Sequence, residues 1–298
     1  MSELAHQLAH PARCLSLEEL AASWSEVRIV ARVEGYGHLA HDTVLLRRVR
    51  GGLGRVLMGS ASEAALAGRP CPWSPPCALD VLFREQGRNG AHGIPKPFVL
   101  AGLRRGNDLE IVLTLFGAAG DWASVVMHAL VATLRDGIDW RGQRRDVFGP
   151  VAVVSGVQVT GREGVQPGLA GDRFDLDFLT PLTAESDEPL ERPATVLARL
   201  ARRVEGMARW QDVAIEADWR TLAVAWEGMS YDVSGLRRAR VARRSGRGSR
   251  TFAMEAIVGT LGVDGLTQEL CALLAIGQQV HIGKGASEGF GRFVLTAG

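Results

Sequence analysis

The sequence predicts an α+β protein built from two tandem ferredoxin-like (βαββαβ, RRM-like) domains, residues 1–160 and 161–298. Three observations predict it. Short segments with apolar/polar alternation, the mark of half-buried strands, recur between longer segments with helical periodicity. The order strand, helix, strand, strand, helix, strand occurs twice. A glycine-rich stretch at 161–172 (GREGVQPGLAGD) separates the two rounds and reads as a linker. With 298 residues, 46% of them hydrophobic, the chain has enough material for two packed cores.

In the first round, residues 1–26 form a helical lead-in with Leu15, Leu17, Leu20 and Trp24 as its apolar contacts. Val27–Glu34 (VRIVARVE) alternates as a strand. The loop GYGHLAHD (35–42) follows, and Asp42 or Thr43 can cap the next helix. That helix, Thr43–Met58, collects Leu45, Leu46, Val49, Leu53, Val56 and Leu57 on one face. Gly51 and Gly52 lie inside it. Each costs roughly 1 kcal/mol against alanine, so close packing against a neighbouring backbone is the expected reason for both. Residues 59–95 are rich in proline and glycine and read as irregular. Pro97–Leu100 and Leu109–Phe116 are strands, Trp122–Leu134 a helix and Phe148–Thr160 a strand.

The second round begins with a strand at Arg173–Leu179 and an acidic loop (AESDEPLE). A helix at Thr195–Trp210 turns Val196, Leu197, Leu200, Val204 and Met207 inward. Strands at Thr221–Trp226 and Thr251–Gly259, a helix at Leu266–Ile276 and a strand at Gly291–Leu295 complete it.

The bulk composition excludes several classes. Four cysteines (Cys14, Cys71, Cys77 and Cys271) in a chain of this length are no disulfide scaffold. There is no positive-then-apolar leader, and no apolar run approaches the ~18 residues of a membrane span. The expectation is a reduced, cytoplasmic protein with no membrane partner. The net charge of +1 is uninformative until its distribution is considered.

Two segments concentrate chemistry. Tyr231–Arg250 (YDVSGLRRARVARRSGRGSR) carries Arg237, Arg238, Arg240, Arg243, Arg244, Arg247 and Arg250 against the single acid Asp232, a local charge of +6. The planar guanidinium fork matches phosphate, so such a stretch attracts a polyanion. A solvated basic loop would read the same way; its place between two strands favours a hairpin with an arginine-rich tip. The second segment, HIGKGASEGFGR (281–292), holds Gly283, Gly285, Gly289 and Gly291 with Lys284 and Arg292. Its backbone N–H groups could meet phosphate oxygens, and His281 and Phe290 offer planar faces on which a base could stack. No helix follows it, so it is neither a dinucleotide fingerprint nor a Gly-Lys-Ser/Thr phosphate loop. A plain turn before an edge strand remains the simpler alternative.

Two such units ending in G-x-G-x-x-x-G-F-G-R (283–292) resemble the CRISPR RAMP superfamily, and within it the endoribonucleases that process precursor CRISPR RNA. LLRRVRGGLGRVL (45–57), CPWSPPCALDVLF (71–83) and PFVLAG (97–102) are similar to further family segments in the same order. The resemblance implies cleavage of repeat RNA by its own 2′-hydroxyl, a cyclic phosphate product that stays bound, and neither metal nor cofactor. It implies a catalytic histidine at or near the start of the first helix. His41 lies closest to that start, His38 is nearly as good, and Tyr36 stands beside them. Arg47 or Arg48, one turn or so into the helix, is the candidate for the phosphorane charge, with Arg48 also a candidate for RNA contact and Lys284 a further cation; many relatives use a lysine in this region, where this chain has only arginines. Histidine titrates near neutrality and suits either proton transfer. The implied partners are repeat RNA in the precursor transcript and other subunits of a CRISPR effector complex. A non-catalytic RAMP subunit is the alternative. His6, His10, His92 and His128 read as structural or surface residues. Cys71 and Cys77 with His92 fall one ligand short of a structural zinc site, and packing of the two thiols against the neighbouring prolines is the expectation.

Overall fold

The computed structural model describes residues 2–89, 92–135, 153–166, 172–183, 188–244 and 251–297. In chain order the elements begin with α1 (Glu3–Ala9), β1 (Arg13–Leu15), α2 (Leu17–Ala22), β2 (Ser25–Val33), α3 (Thr43–Met58), α4 (Glu63–Leu66) and α5 (Ala78–Phe83). There follow β3 (Arg88–Asn89), β4 (His92–Gly93), β5 (Phe98–Arg105), β6 (Asp108–Phe116), α6 (Ala123–Arg135), β7 (Val154–Glu163) and β8 (Arg173–Thr183). The chain closes with α7 (Glu188–Glu191), α8 (Ala194–Ala208), β9 (Val213–Ile215), α9 (Trp219–Glu227), β10 (Ser230–Asp232), β11 (Leu236–Arg244), β12 (Thr251–Asp264), α10 (Gln268–Val280) and β13 (Phe293–Ala297).

The chain folds as two compact units. The first comprises Met1–Arg13, Ser25–Glu163 and Gly206–Ala214; the second comprises Cys14–Trp24, Gly164–Glu205 and Ile215–Gly298. Each is therefore discontinuous: part of the lead-in belongs to the second unit, and the end of α8 with the segment after it belongs to the first.

In the first unit, β5, β6, β2 and β7 form a four-stranded sheet in that order, with every neighbouring pair antiparallel. This is the ferredoxin-like order, with β2-α3-β5 and β6-α6-β7 as its two split crossovers. The alternation of β2 buries Ile29, Ala31 and Val33, and that of β6 buries Leu109, Ile111, Leu113 and Leu115. These meet Leu45, Leu46, Val49, Leu53 and Leu57 of α3 and Val126, Leu130 and Leu134 of α6. Val56, expected inside, is 36% exposed. The proline-rich segment holds the short helices α4 and α5. Phe83 of α5 lies under the Arg50 guanidinium at 5.0 Å.

In the second unit, β10, β12, β8 and β13 are ordered in the same way, and β11 also pairs with β12. The second strand of the unit is thus split: β10 registers Ser230 against Asp264 and β11 registers Leu236 against Gly259 of one long strand. Leu200 and Val204 of α8 and Leu273, Leu274 and Ile276 of α10 fill the core with Phe174, Leu176 and Phe293. Gly277 permits the close approach of the two helices, because a Cβ there would stand 2.8 Å from Leu200. Helix α2, carrying the buried Leu17 and Leu20, packs on α10.

One element differs in kind from expectation. Residues 221–226, TLAVAW, are helical in α9 and not a strand. Asp218 caps this helix by accepting from the N–H groups of Arg220 and Thr221, a signal that outweighs a six-residue apolar run compatible with either state. The expected strand at 148–160 is described only from Val154 onward.

The two helix glycines separate cleanly. Gly52 faces α6, where a Cβ would stand 2.4 Å from Thr133 Cγ2, whereas Gly51 faces open space, against the expectation of close packing for both. Gly51→Ala should therefore stabilise the protein by about 0.5–1 kcal/mol through helix propensity alone. Gly52→Ala should destabilise it by about 1–3 kcal/mol through overpacking against the buried Thr133. Urea unfolding of the two variants should shift in opposite directions.

Candidate nucleic-acid interface

The histidine loop is built by anchoring it to the β5–β6 hairpin of its own unit. The Gly37 N–H donates to the Asn107 carbonyl at 2.7 Å, and the Gly35 N–H donates to Asp108 Oδ1 at 3.1 Å. A Cβ at position 37 would lie 2.9 Å from the Asn107 and Asp108 backbone, so only glycine fits. Gly37–Leu39 then forms one 3-10 turn. His41 follows with φ +71°, a left-handed conformation that costs a non-glycine residue roughly 1–2 kcal/mol. The Asp42 carboxylate next accepts from the Val44 and Leu45 N–H groups and starts α3.

The loop presents His38 and His41 exposed and Tyr36 half-buried, on one tied-down turn. The Tyr36 and His38 rings lie 6.3 Å apart, tilted by 31°. Arg47 and Arg48, in the first turns of α3, are half-buried. All five sequence candidates of this unit therefore belong to one loop and the helix it opens. The residues that sequence reasoning missed are Asn107 and Asp108, which fix the loop through backbone and cap-like bonds that leave no periodic signal.

In the second unit, Gly283, Gly285, Gly289 and Gly291 all have positive φ, between +64° and +89°. The tightest is Gly291, where a Cβ would lie 1.9 Å from the Ile282 carbonyl oxygen. Much of the loop's backbone is satisfied internally. The Gly289 N–H donates to Ala286, the Phe290 N–H to Gly285, the Gly291 N–H to Pro181 and the Ile282 N–H to Gly291. The Arg292 N–H donates to Thr180 Oγ1 at 2.9 Å, and Thr183 Oγ1 donates to the Lys284 carbonyl at 2.9 Å. The loop is thus a fixed turn that leaves Lys284 exposed and Arg292 half-buried.

His281 and Phe290 require a correction. They are 3% and 1% exposed, so neither offers a face to a base. Phe290 fills the inside of the turn, against Gly285. His281 terminates α10, and its ring bonds to the Phe290 carbonyl. Burial pushes its pKa down to about 3, helped by the charges of Arg292 and Arg203, with the Phe290 bond opposing. Among the described residues its Nδ1 has no partner. Arg203 of α8 lies beside it: its Nε donates to the Val280 carbonyl at 3.1 Å, and burial lowers its pKa to about 10. Sequence periodicity counted only the apolar positions of α8, so Arg203 passed unnoticed.

The arginine stretch is strand more than loop. Residues 237–244 pair with β12 from Val258 to Thr251, and Arg237, Arg238 and Arg240 are exposed. By strand alternation Arg237 falls on one face and Arg238 and Arg240 on the other. Arg240 meets Glu255 at 3.1 Å across the ladder, an exposed pair worth little. The backbones of Arg243 and Arg244 pair with Phe252 and Thr251. Arg247 and Arg250 lie outside the described residues. No group of three or more metal-ligating side chains occurs among the described residues, and no helix among them is long and apolar enough to cross a membrane.

Residues 176–293 match the family model of the CRISPR-associated endoribonuclease Cas6, and residues 25–166 match a model described as an N-terminal domain. Among solved structures, one Cas6 product complex aligns with 92% of this chain and 99% of its own at 20% identity and a TM-score of 0.52. A second covers 91% and 100% at 16% identity and a TM-score of 0.52. These likenesses agree on the fold. No curated protein matches the chain.

The depressed His281 pKa gives a sign-definite prediction. The unfolded chain takes up a proton there near pH 6.5, the folded chain only near 3. Between those values the unfolded state binds more protons, so stability falls as the pH is lowered. The loss from this group is at most about 1.4 kcal/mol per pH unit. Urea unfolding at about pH 7 and about pH 5 should show a smaller loss for His281→Gln than for the unaltered chain.

Proposed function

We propose that this chain, whose residues 176–293 match the family model of the CRISPR-associated endoribonuclease Cas6, cuts CRISPR repeat RNA within a precursor transcript by metal-independent acid–base chemistry. The observation that carries the chemical part is the anchored loop that ends at α3 with two exposed histidines on it.

The reaction needs a base for the 2′-hydroxyl, an acid for the departing 5′-oxygen and a cation for the phosphorane. His41, at the helix start, is assigned to one proton transfer and His38 to the other. The 2′-oxygen attacks phosphorus, the P–O5′ bond breaks, the proton leaves through one imidazole and arrives through the other, and a 2′,3′-cyclic phosphate results. Tyr36 orients its neighbour His38, and Arg47 supplies positive charge. Binding falls to the second unit, through Lys284, Arg292, the Gly283–Gly291 turn and the β11 arginines, with Arg48 as a contact from α3. The product remains on this surface because cutting removes none of the phosphates that hold it there.

Incubated with its own repeat RNA in EDTA, the protein should cut at one fixed position and leave a cyclic phosphate. His38→Ala and His41→Ala should each slow cutting by about 10²- to 10⁴-fold, the range for a missing general acid or base. Their combination should abolish cutting while repeat binding stays within a few-fold. Inhibition by EDTA, or full activity in the double variant, contradicts the assignment.

The binding surface is tested by salt. Arg237→Ala with Arg238→Ala should weaken repeat binding first. It should also reduce the slope of log affinity against log salt by about 1 for each phosphate that is no longer neutralised. An unchanged slope means that these arginines do not meet the RNA.

A further inference from the structure

The RNA chemistry leaves one reactive cluster unused, the thiols of Cys71 and Cys77 in the first unit. Beyond the expected packing against prolines, they touch each other: the Cys77 N–H donates to Cys71 Sγ at 3.4 Å, and the Cys77 thiol reaches the same sulfur. With an N–Cα bond of about 1.5 Å, this places the Cys77 Cα within about 5 Å of the Cys71 sulfur. That is compatible with the usual spacing of a disulfide.

Both ends of the pair are held. The Cys71 N–H donates to Asp80 Oδ1 at 3.1 Å, and Asp80 is locked by Arg84, whose Nη2 also bonds its second oxygen at 3.1 Å. Gln86 Nε2 donates to the Asp80 carbonyl at 2.6 Å. Cys77 is the N-cap residue of α5. Both thiols are free and buried, whereas Cys14 is exposed and Cys271 half-buried in the other unit.

The thiols of Cys71 and Cys271 shift in opposite directions. At Cys71, burial pushes the pKa up. Hydrogen bonds from the Ser62 hydroxyl, the N–H groups of Cys77 and Trp73 and the Cys77 thiol outweigh that and bring it below the usual value. At Cys271 burial wins and the thiol is raised. The thiolate is the form that attacks oxidants.

We propose that Cys71 and Cys77 form a redox modification site that a hydroperoxide converts to a reversible intramolecular disulfide. The Cys71 sulfur attacks the peroxide oxygen, the O–O bond breaks, and with hydrogen peroxide one water leaves as Cys71 becomes a sulfenic acid. The Cys77 sulfur then attacks the Cys71 sulfur, the S–O bond breaks, and a second water leaves. Two thiols have given up two hydrogens and one electron pair, both taken by the peroxide. The ring closes over residues 71–77 at the start of α5, whose Phe83 would stand 3.1 Å from a Cβ at Gly54 of α3. The site stands apart from the RNA reading and does not depend on it.

The test uses the full chain, treated with hydrogen peroxide, quenched, alkylated with N-ethylmaleimide and digested for mass spectrometry. Of the four cysteines, two should remain alkylatable. The peptide containing Cys71 and Cys77 should be two hydrogens lighter, and dithiothreitol should restore it. In Cys77→Ser, dimedone should label Cys71; in Cys71→Ser, Cys77 should stay alkylatable. Equal alkylation of all four cysteines after peroxide, or a linked peptide containing Cys14 or Cys271, overturns the proposal. The unaltered chain alone yields these two outcomes, so poor folding of a variant does not blunt the test.

Discussion

The hydrogen bond from the Gly37 N–H to the Asn107 carbonyl, made where no side chain would fit, is the constraint on which the placement of the first unit's histidine loop depends. A loop between a strand and a helix ordinarily moves, because its backbone groups are satisfied by water. Here the loop is stitched to the turn of the β5–β6 hairpin, and the far end is clamped by the Asp42 cap on α3. Two histidines between two such anchors have few backbone states open to them. The left-handed His41 belongs to the same arrangement. Strain of that kind persists only where the surroundings over-determine it, and the anchors on either side are what over-determine it.

Charge is organised differently in the second unit. Five of its arginines fall on β11, and an edge strand rich in arginine resists pairing with other chains as well as attracting phosphate. The two roles separate by geometry. Edge protection needs only charge on the strand, whereas Lys284 and Arg292 are placed by a turn with four positive-φ glycines, which edge protection does not require. That turn is also fixed by its own hydrogen bonds, so the backbone that carries Lys284 and Arg292 is held in place.

Much of this was legible in the sequence. Alternation and helical periodicity located the strands β2, β6, β8 and β12 and the helices α3, α6, α8 and α10 because burial on one face writes a period into the chain. The histidine loop was legible from its place before a capped helix. What escaped has physical reasons. The apolar run at 221–226 carries no period long enough to choose a state, and the cap at Asp218 decided it. His281 and Phe290 looked like a stacking surface because composition does not reveal which side of a turn a ring occupies; a turn of four left-handed glycines folds its one aromatic residue inward. The contact between Cys71 and Cys77 could not be read from a gap of five residues, since it depends on a loop that turns back to α5.

The burial of His281 finally explains why the glycine-rich turn can be both cationic and stable. Placing the Arg203 guanidinium and an imidazole together below the loop, with Arg292 close by, would be costly if all three were charged. The arrangement resolves this by leaving the imidazole neutral. A neutral ring still binds the Phe290 carbonyl and so holds the turn, while the Arg203 Nε satisfies the Val280 carbonyl at the end of α10. The two side chains thereby tie down the helix end and the loop that follows it. Arg203, lowered only to about 10, keeps its charge across the physiological range beside that neutral ring.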